Sequence, residues 1–289
     1  MQQYKITKMN DFSSHQIAQI RMLEQQCKEF DGSSLRVGLE SLKENGGDQA
    51  FLCQSGKQLI GFLSWYTSDG IEANMNGMVH PDYRRQGVFS RLMESAAAEM
   101  QIQGIQACRF RVPSNSRPGI DCIRHLGGDF STAEFSMNLA RPQTSTLRRP
   151  GLILRLEEAD DFDFMVTCSS QAFGDSEAWT RNYFTHTREP ERVTYIAVDG
   201  LTTVGMIRVN HVDTDIAVIH DFCVLPAYQG KGYGREILDC VVSLLLSKQC
   251  TRIRLGVVTQ NRRALSLYQS AGFEISAESH YYVTTLNKM

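Results

Sequence analysis

The stretch Val224-Leu225-Pro226-Ala227-Tyr228-Gln229-Gly230-Lys231-Gly232-Tyr233-Gly234 decides how the chain is read. Upstream, Ala217 to Val224 is apolar and rich in β-branched residues, which predicts a strand. Pro226 ends it. Downstream, Ile237, Leu238, Val241, Val242 and Leu245 recur at helical spacing on one face. The glycines therefore stand between a strand and a helix. Three alternating residues without Cβ let the backbone approach a ligand closely. The helix that follows presents unpaired N–H groups at its positive end, which suits a pyrophosphate. Lys231 and Arg235 can add charge at the rim. Two other phosphate loops fail: the P-loop needs Ser or Thr where Gly232 stands, and the dinucleotide fingerprint needs glycine where Arg235 stands. A glycine-rich turn merely entering a helix is the plain alternative. The whole loop behind Val224-Leu225-Pro226 favours binding.

The stretch recurs. Val79-His80-Pro81-Asp82-Tyr83-Arg84-Arg85-Gln86-Gly87 lies 145 residues earlier, and the same offset carries Val112 onto Val257 and Gly127 onto Gly272. Gly56 and Gly61 pair with Gly200 and Gly205 at an offset of 144, so one insertion intervenes. Each copy opens alike, Ile6 to Phe12 resembling Leu154 to Phe162. Pro142 to Gly151 reads as a polar, proline-bounded linker. The expected domains are 1–141 and 151–289. Within copy two, Arg252 to Val258 alternates as a strand, Asn261 can cap the next helix and Gly272 can end it. Strand, helix, strand, helix predicts a parallel pair inside a mixed α/β sheet.

Bulk properties fit this reading. A chain of 289 residues accommodates two domains with cores of their own. Its net charge of −2 offers no basic field for nucleic acid. The longest apolar stretch, near Val241 to Leu246, is too short to span a membrane, and the first five residues lack the apolar core of a secretory signal. The eight cysteines are scattered, with no Cys-x-x-Cys pair and no histidine cluster at metal spacing. They are expected to be reduced, in a cytoplasmic protein without a metal.

At these residues the chain resembles the GCN5-related N-acetyltransferase (GNAT) family. Gln229-Gly230-Lys231-Gly232-Tyr233-Gly234 matches that family's Gln/Arg-x-x-Gly-x-Gly/Ala loop. Asn261, Ala264, Leu267, Tyr268, Gly272 and Phe273 match every fixed position of its Asn-x-x-Ala-x-x-Leu-Tyr-x-x-x-Gly-Phe signature. The resemblance implies two tandem acyltransferase domains with splayed sheets. It implies acetyl-coenzyme A as donor, with its pyrophosphate on residues 229–235 and its pantetheine between strands near Phe222 to Val224 and Leu255 to Val257. A backbone N–H near Cys223 or Val224 would then polarise the thioester. Copy one departs from the pattern: Phe89 replaces the last small loop residue, and Tyr268, Ala264 and His220 correspond to Ile123, Gly119 and Met75. Copy one is expected to be degenerate and copy two catalytic.

Acetyl transfer to an amine needs a base for the ammonium and an acid for the departing thiolate. Tyr268, protonated at neutral pH, suits the acid role, the plain alternative being a ring packed in the core. His220, four residues before Val224, suits the base role, since the resemblance implies a base on this strand. Asp221 competes with it. Simple alternation turns Asp221 to the opposite face, and a bulge, implied by the resemblance, would reverse that. Cys223 has no histidine–carboxylate partner pattern and reads as an apolar strand residue. Phe173, Trp179, Tyr183 and Phe184 cluster in an early helical stretch of copy two, where the resemblance implies the acceptor pocket, and are expected to be mixed core and wall. The acceptor is expected to be a small-molecule or peptide amine, with no nucleic acid or membrane partner. Copy one could stand in for the second subunit of a dimer, or the chain could form a homodimer. The rival readings are two active copies, or a non-catalytic acyl-CoA-binding or interaction protein.

Overall fold

The computed structural model describes residues 4–10, 12–33, 37, 49–143 and 151–288; of the expected linker, residues 144–150 lie outside the described residues. The chain forms two compact units, one of residues 1–133 and 279–289, the other of residues 134–278. These differ from the repeat copies 1–141 and 151–289 because the closing strands change places. The strand that ends copy one packs in the second unit, and the strand that ends copy two packs in the first.

The first unit contains β1 (Lys5–Lys8), α1 (Ser14–Asp31), β2 (Gln49–Ser55), β3 (Gln58–Tyr66), β4 (Glu72–Val79), α2 (Val88–Ile102), β5 (Ala107–Pro113) and α3 (Arg117–His125). Its sheet runs β1-β2-β3-β4-β5 and is closed by residues 279–285 of β12 (Phe273–Thr285). The pair β4–β5 is parallel over four residues, and the other pairs are antiparallel. Ile20, Leu23 and Cys27 of α1 pack on one face, against Leu52 and Phe62. Val88, Leu92 and Ala96 of α2 pack on the other, with Phe110 and Val112.

The second unit repeats this plan with β7 (Leu152–Leu156), α4 (Phe162–Phe173), α5 (Glu177–His186), β8 (Arg192–Asp199), β9 (Thr202–Asp213), β10 (Ile216–Val224), α6 (Tyr233–Ser247), β11 (Arg252–Val258) and α7 (Arg262–Ser270). Its sheet runs β7-β8-β9-β10-β11 and is closed by residues 134–138 of β6 (Asp129–Leu139). The expected parallel pair is β10–β11. The five apolar residues predicted to line one face of α6 are all buried, facing Ile253, Leu255 and Val257. Met165, Val166, Cys168 and Phe184 of α4 and α5 cover the other face, against Ile196, Met206 and Cys223. All eight cysteines are free, and six are buried.

The borrowed strand is fixed at the end of α7. The amides of Ala140 and Arg141 donate to the Gly272 carbonyl at 3.0 and 3.3 Å, and that of Gln143 donates to Ala271 at 3.2 Å. Gly272 has φ +95°, and a Cβ there would lie 1.7 Å from the Arg141 carbonyl oxygen. The position is strained for any L side chain and closed to one by rigid backbone. Gly272→Ala is therefore expected to lower stability by at least about 2 kcal/mol in urea unfolding. A change under about 0.5 kcal/mol would show that this junction does not hold the strand.

Candidate active site

The β10–β11 ladder pairs Ile216–Ile219 with Arg252–Leu255 and then stops, while β10 continues to Val224. The two strands part there. Facing β9, the same strand carries a bulge: His220 stands opposite Arg208 and Cys223 opposite Met206, so Asp221 and Phe222 share one partner position. Asp221 takes φ +44°, uncommon for a residue with a side chain. The corresponding pair β3–β4 runs in unbroken register from Gly61–Val79 to Tyr66–Asn74. Between Gly205 and Val224 copy two is one residue longer than copy one, and copy two carries the bulge.

The bulge is held from α5. Arg208, 2% exposed, forms an ion pair with Asp221 at 3.0 Å and donates to the Thr187 hydroxyl and carbonyl at 3.2 and 3.1 Å. Tyr183 donates its phenol to Asp221 at 3.2 Å, and Trp179 stacks on Tyr183 at 5.3 Å. Burial first, and then the Asp221 carboxylate, pushes the Tyr183 phenol up, so it stays a donor. These contacts offset the cost of the positive φ. Of the four aromatic residues expected to be mixed core and wall, Phe184 is core, Phe173 is exposed, Tyr183 reaches the bulge and Trp179 stacks on Tyr183. Arg208 has no counterpart in the sequence reading. A single arginine inside the apolar run Val204–Val209 was the available signal, and its partner Asp221 becomes recognisable only through the bulge.

His220 is exposed at this edge. The protein around it still disfavours the imidazolium, and the Arg192 and Arg208 charges add to that against the pull of Asp221. The net effect holds its pKa below the usual imidazole value. A neutral imidazole can accept a proton, whereas the Asp221 oxygens are already engaged. Cys223 lies 3.5 Å from the Cys168 sulfur, and that contact together with burial pushes its thiol well up. A protonated, buried thiol is a poor nucleophile.

Tyr268 is buried on the α6–α7 face, with its ring 6.4 Å from Phe222 and 6.2 Å from Phe273. Burial pushes its phenol up to about 12. Among the described residues none hydrogen-bonds its hydroxyl. Asn261 caps α7 by accepting from the Ala264 amide at 3.1 Å.

Gly230 and Gly232 have φ +72° and +91°, and no side chain caps α6. The Gln229 side-chain amide donates to the Val224 carbonyl at 2.9 Å, which ties the loop to the strand end. The Leu225 amide donates to Val204 across β9, so strand alternation turns the Val224 N–H toward the side from which β11 has parted. A Cβ on Gly234 would lie 3.4 Å from Leu267 and 3.8 Å from Phe222, room for a methyl group. Tyr233 is buried and donates to Asp199 at 2.6 Å, so only its amide can serve a ligand. Arg235 is committed to Asp239, Ser270 and the Gln143 carbonyl. Lys231 lies 5.5 Å over the Tyr228 ring.

Copy one rebuilds the same geometry from other residues. Arg84 donates to the Val79 carbonyl at 3.0 Å, as Gln229 does to Val224, and also pairs with Asp31. Arg85 takes the positive φ of Gly230. The Phe89 ring sits where a Cβ on Gly77 would fall, 2.7 Å away. Gly77 and Phe89 correspond to Phe222 and Gly234, so one phenyl ring fills the place in both copies, from the helix in one and from the strand in the other. A cleft of about 690 Å³ opens here, lined by Val79, Arg85, Gly87, Phe110, Cys122 and Ile123 among others.

A profile of the acetyltransferase (GNAT) family matches residues 154–273, and one of the acetyltransferase (GNAT) domain matches residues 46–127. The chain is 26% identical over 271 residues to a mycothiol acetyltransferase of Propionibacterium freudenreichii, covering 86% of this chain and 82% of that one. It is 33% identical over 66 residues to a mouse thialysine N-ε-acetyltransferase, a stretch covering 23% of this chain. The chain spans only 39% of that relative's length. A tandem GNAT protein from the clavulanic acid biosynthesis pathway shares the fold, with a TM-score of 0.73 at 14% identity over 98% of this chain and 99% of that one. Two profile matches, one in each copy and together spanning most of the sequence, make this chain a member of the GNAT family.

Proposed function

We propose that the chain transfers an acetyl group from acetyl-coenzyme A to a primary amine, in the second unit, by direct attack in a ternary complex. The observation that carries this reading is the bulge at Asp221 beside the parting of β10 and β11. Beyond the parting, the Val224 amide is turned away from β9 and no residue of β11 pairs with Val224.

The coenzyme supplies an activated acetyl thioester. Its phosphates fit the uncapped α6 terminus and the amides of residues 230–235, where no Cβ stands on Gly230, Gly232 or Gly234. The chain's own residues then divide the work. His220 takes a proton from the acceptor ammonium. The free amine forms the N–C bond as the C–S bond breaks, with the Val224 N–H available to the carbonyl oxygen. Tyr268 gives its proton to the departing sulfur, and the second proton that the acylated nitrogen sheds restores the phenol. Burial that raises the phenol raises a neighbouring thiolate as well, so acid and acceptor remain matched. The cleft in the first unit supports coenzyme binding there too, without a phenol at Ile123 or an imidazole at Met75. Acetyl transfer is named in the relatives above, with different acceptors.

Three measurements test this. Gly232→Val places a branched side chain at φ +91° and is expected to abolish coenzyme A binding to the second unit by calorimetry. Tyr268→Phe is expected to lower kcat about 10²- to 10⁴-fold while the coenzyme Kd moves far less. In the wild type the acidic limb of the rate profile is expected below about pH 6.5, because the His220 pKa is depressed. His220→Ala is expected to move that limb upward, toward the pKa of the acceptor amine. An unshifted limb in His220→Ala, with loss of turnover in Asp221→Ala, would give the base role to Asp221.

A further inference from the structure

The α4–α5 face of the second unit holds a cavity of about 310 Å³, lined by Glu157, Arg188, Arg192 and Arg208 with Met165 and Phe184. Strand register relates it to the candidate active site. Thr194 stands opposite Arg208, and Arg208 opposite His220. Glu157 follows β7 and donates its amide to the Thr194 carbonyl at 3.0 Å, continuing the row. Residues directly opposite on antiparallel strands project to one face. Glu157, Thr194, Arg208 and His220 thus form a polar row across four strands, about 14 Å long at ~4.8 Å per strand.

Among the described residues, Glu157 and Arg188 of this cavity form no ion pair, while Glu189, which also lines it, faces Arg192. The Glu157 carboxylate has no ion pair among the described residues, and its Oε2 is buried without a hydrogen bond. Arg188 is held 5.3 Å over the Phe162 ring and meets no carboxylate among the described residues. Arg192 reaches Glu189 at 3.6 Å, yet its Nε is buried and unpartnered. Arg208, nearly fully buried, uses its Nη atoms on Asp221 and Thr187 and leaves Nε unpartnered. Buried polar atoms in this state are costly, and a ligand that satisfies them recovers the cost. The unmatched groups ask for an ammonium on the Glu157 side and a carboxylate on the arginine side.

We propose that this cavity binds the head group of a diamino acid acceptor. The α-ammonium sits on Glu157, the carboxylate on Arg188 and Arg192, and the second amine points from the cavity toward the His220 edge, past the buried Thr194 and Arg208. An ammonium held by Glu157 cannot attack, so the reacting nitrogen is a second one carried on the same molecule. This rests on the acetyltransferase reading, and it names the substrate class of that site.

The probes are lysine, cadaverine, which lacks the carboxylate, and 6-aminohexanoate, which lacks the α-amine. Binding to the full chain with coenzyme A present is measured by calorimetry, and turnover by coenzyme A release from acetyl-coenzyme A. Lysine is expected to bind about tenfold or more tightly than either analogue. Arg188→Met is expected to erase the preference of lysine over cadaverine, and Glu157→Gln its preference over 6-aminohexanoate. Each variant raises KM for lysine more than it lowers kcat. Equal binding of the three probes by the wild type, which needs no variant to fold, would overturn the proposal. So would equal losses for all three in each variant. Lysine preference without acetyl transfer would overturn the acetyltransferase reading and leave the head-group assignment standing. Transfer to all three amines alike would do the reverse.

Discussion

A backbone N–H inside a protein must find a partner, and the parting of β10 from β11 withholds one. The parallel ladder satisfies four residues of each strand and then ends. Beyond that point the β10 edge can serve only a ligand or water. The loop, the α6 terminus and the Tyr268 ring are all arranged around that edge. The ion pair of Arg208 with Asp221 keeps it in place. Arg208 is buried, so removing Asp221 would strand its charge, and the bulge is the conformation in which both charges are met.

Much of this was legible in the chain. The Gly230–Gly234 loop, the α6 face and the Asn261 cap are local features, and local patterns survive in a single sequence. The Asp221 bulge was less accessible, because side-chain alternation read along β10 alone gives the wrong parity. Arg208 and Glu157 were invisible for a different reason. Their relation to His220 depends on register across four strands, and no spacing along the chain encodes it. The exchanged closing strands were hidden too, since Asp129–Leu139 and Phe273–Thr285 suit the same place in either sheet. Their assignment follows from what packs against Gly272 and β5, not from their own composition.

The two copies build one local geometry from different residues. Gly77 with Phe89 and Phe222 with Gly234 place one ring in the same space from opposite sides. Either member changed alone would leave a hole or a clash, so the pair is constrained jointly. The arginine Arg84 likewise replaces Gln229 as the clamp on the strand end. Copy one differs in having an unbroken β3–β4 register, with Met75 and Ile123 where copy two has His220 and Tyr268.

The change of places between closing strands has a consequence for how the protein is made. Along the growing polypeptide, everything in the first unit up to Leu126 leaves the ribosome well before β12, because residues 134–278 lie between them. Through that interval β5 is an open edge, with its ladder groups unpaired. The first unit therefore waits, sheet exposed, until the second is complete. Nascent chains of this protein pass through a stage in which edge pairing with a neighbour competes with maturation. A stop introduced directly after Glu278 removes a piece of the first unit, although it lies behind the whole of the second.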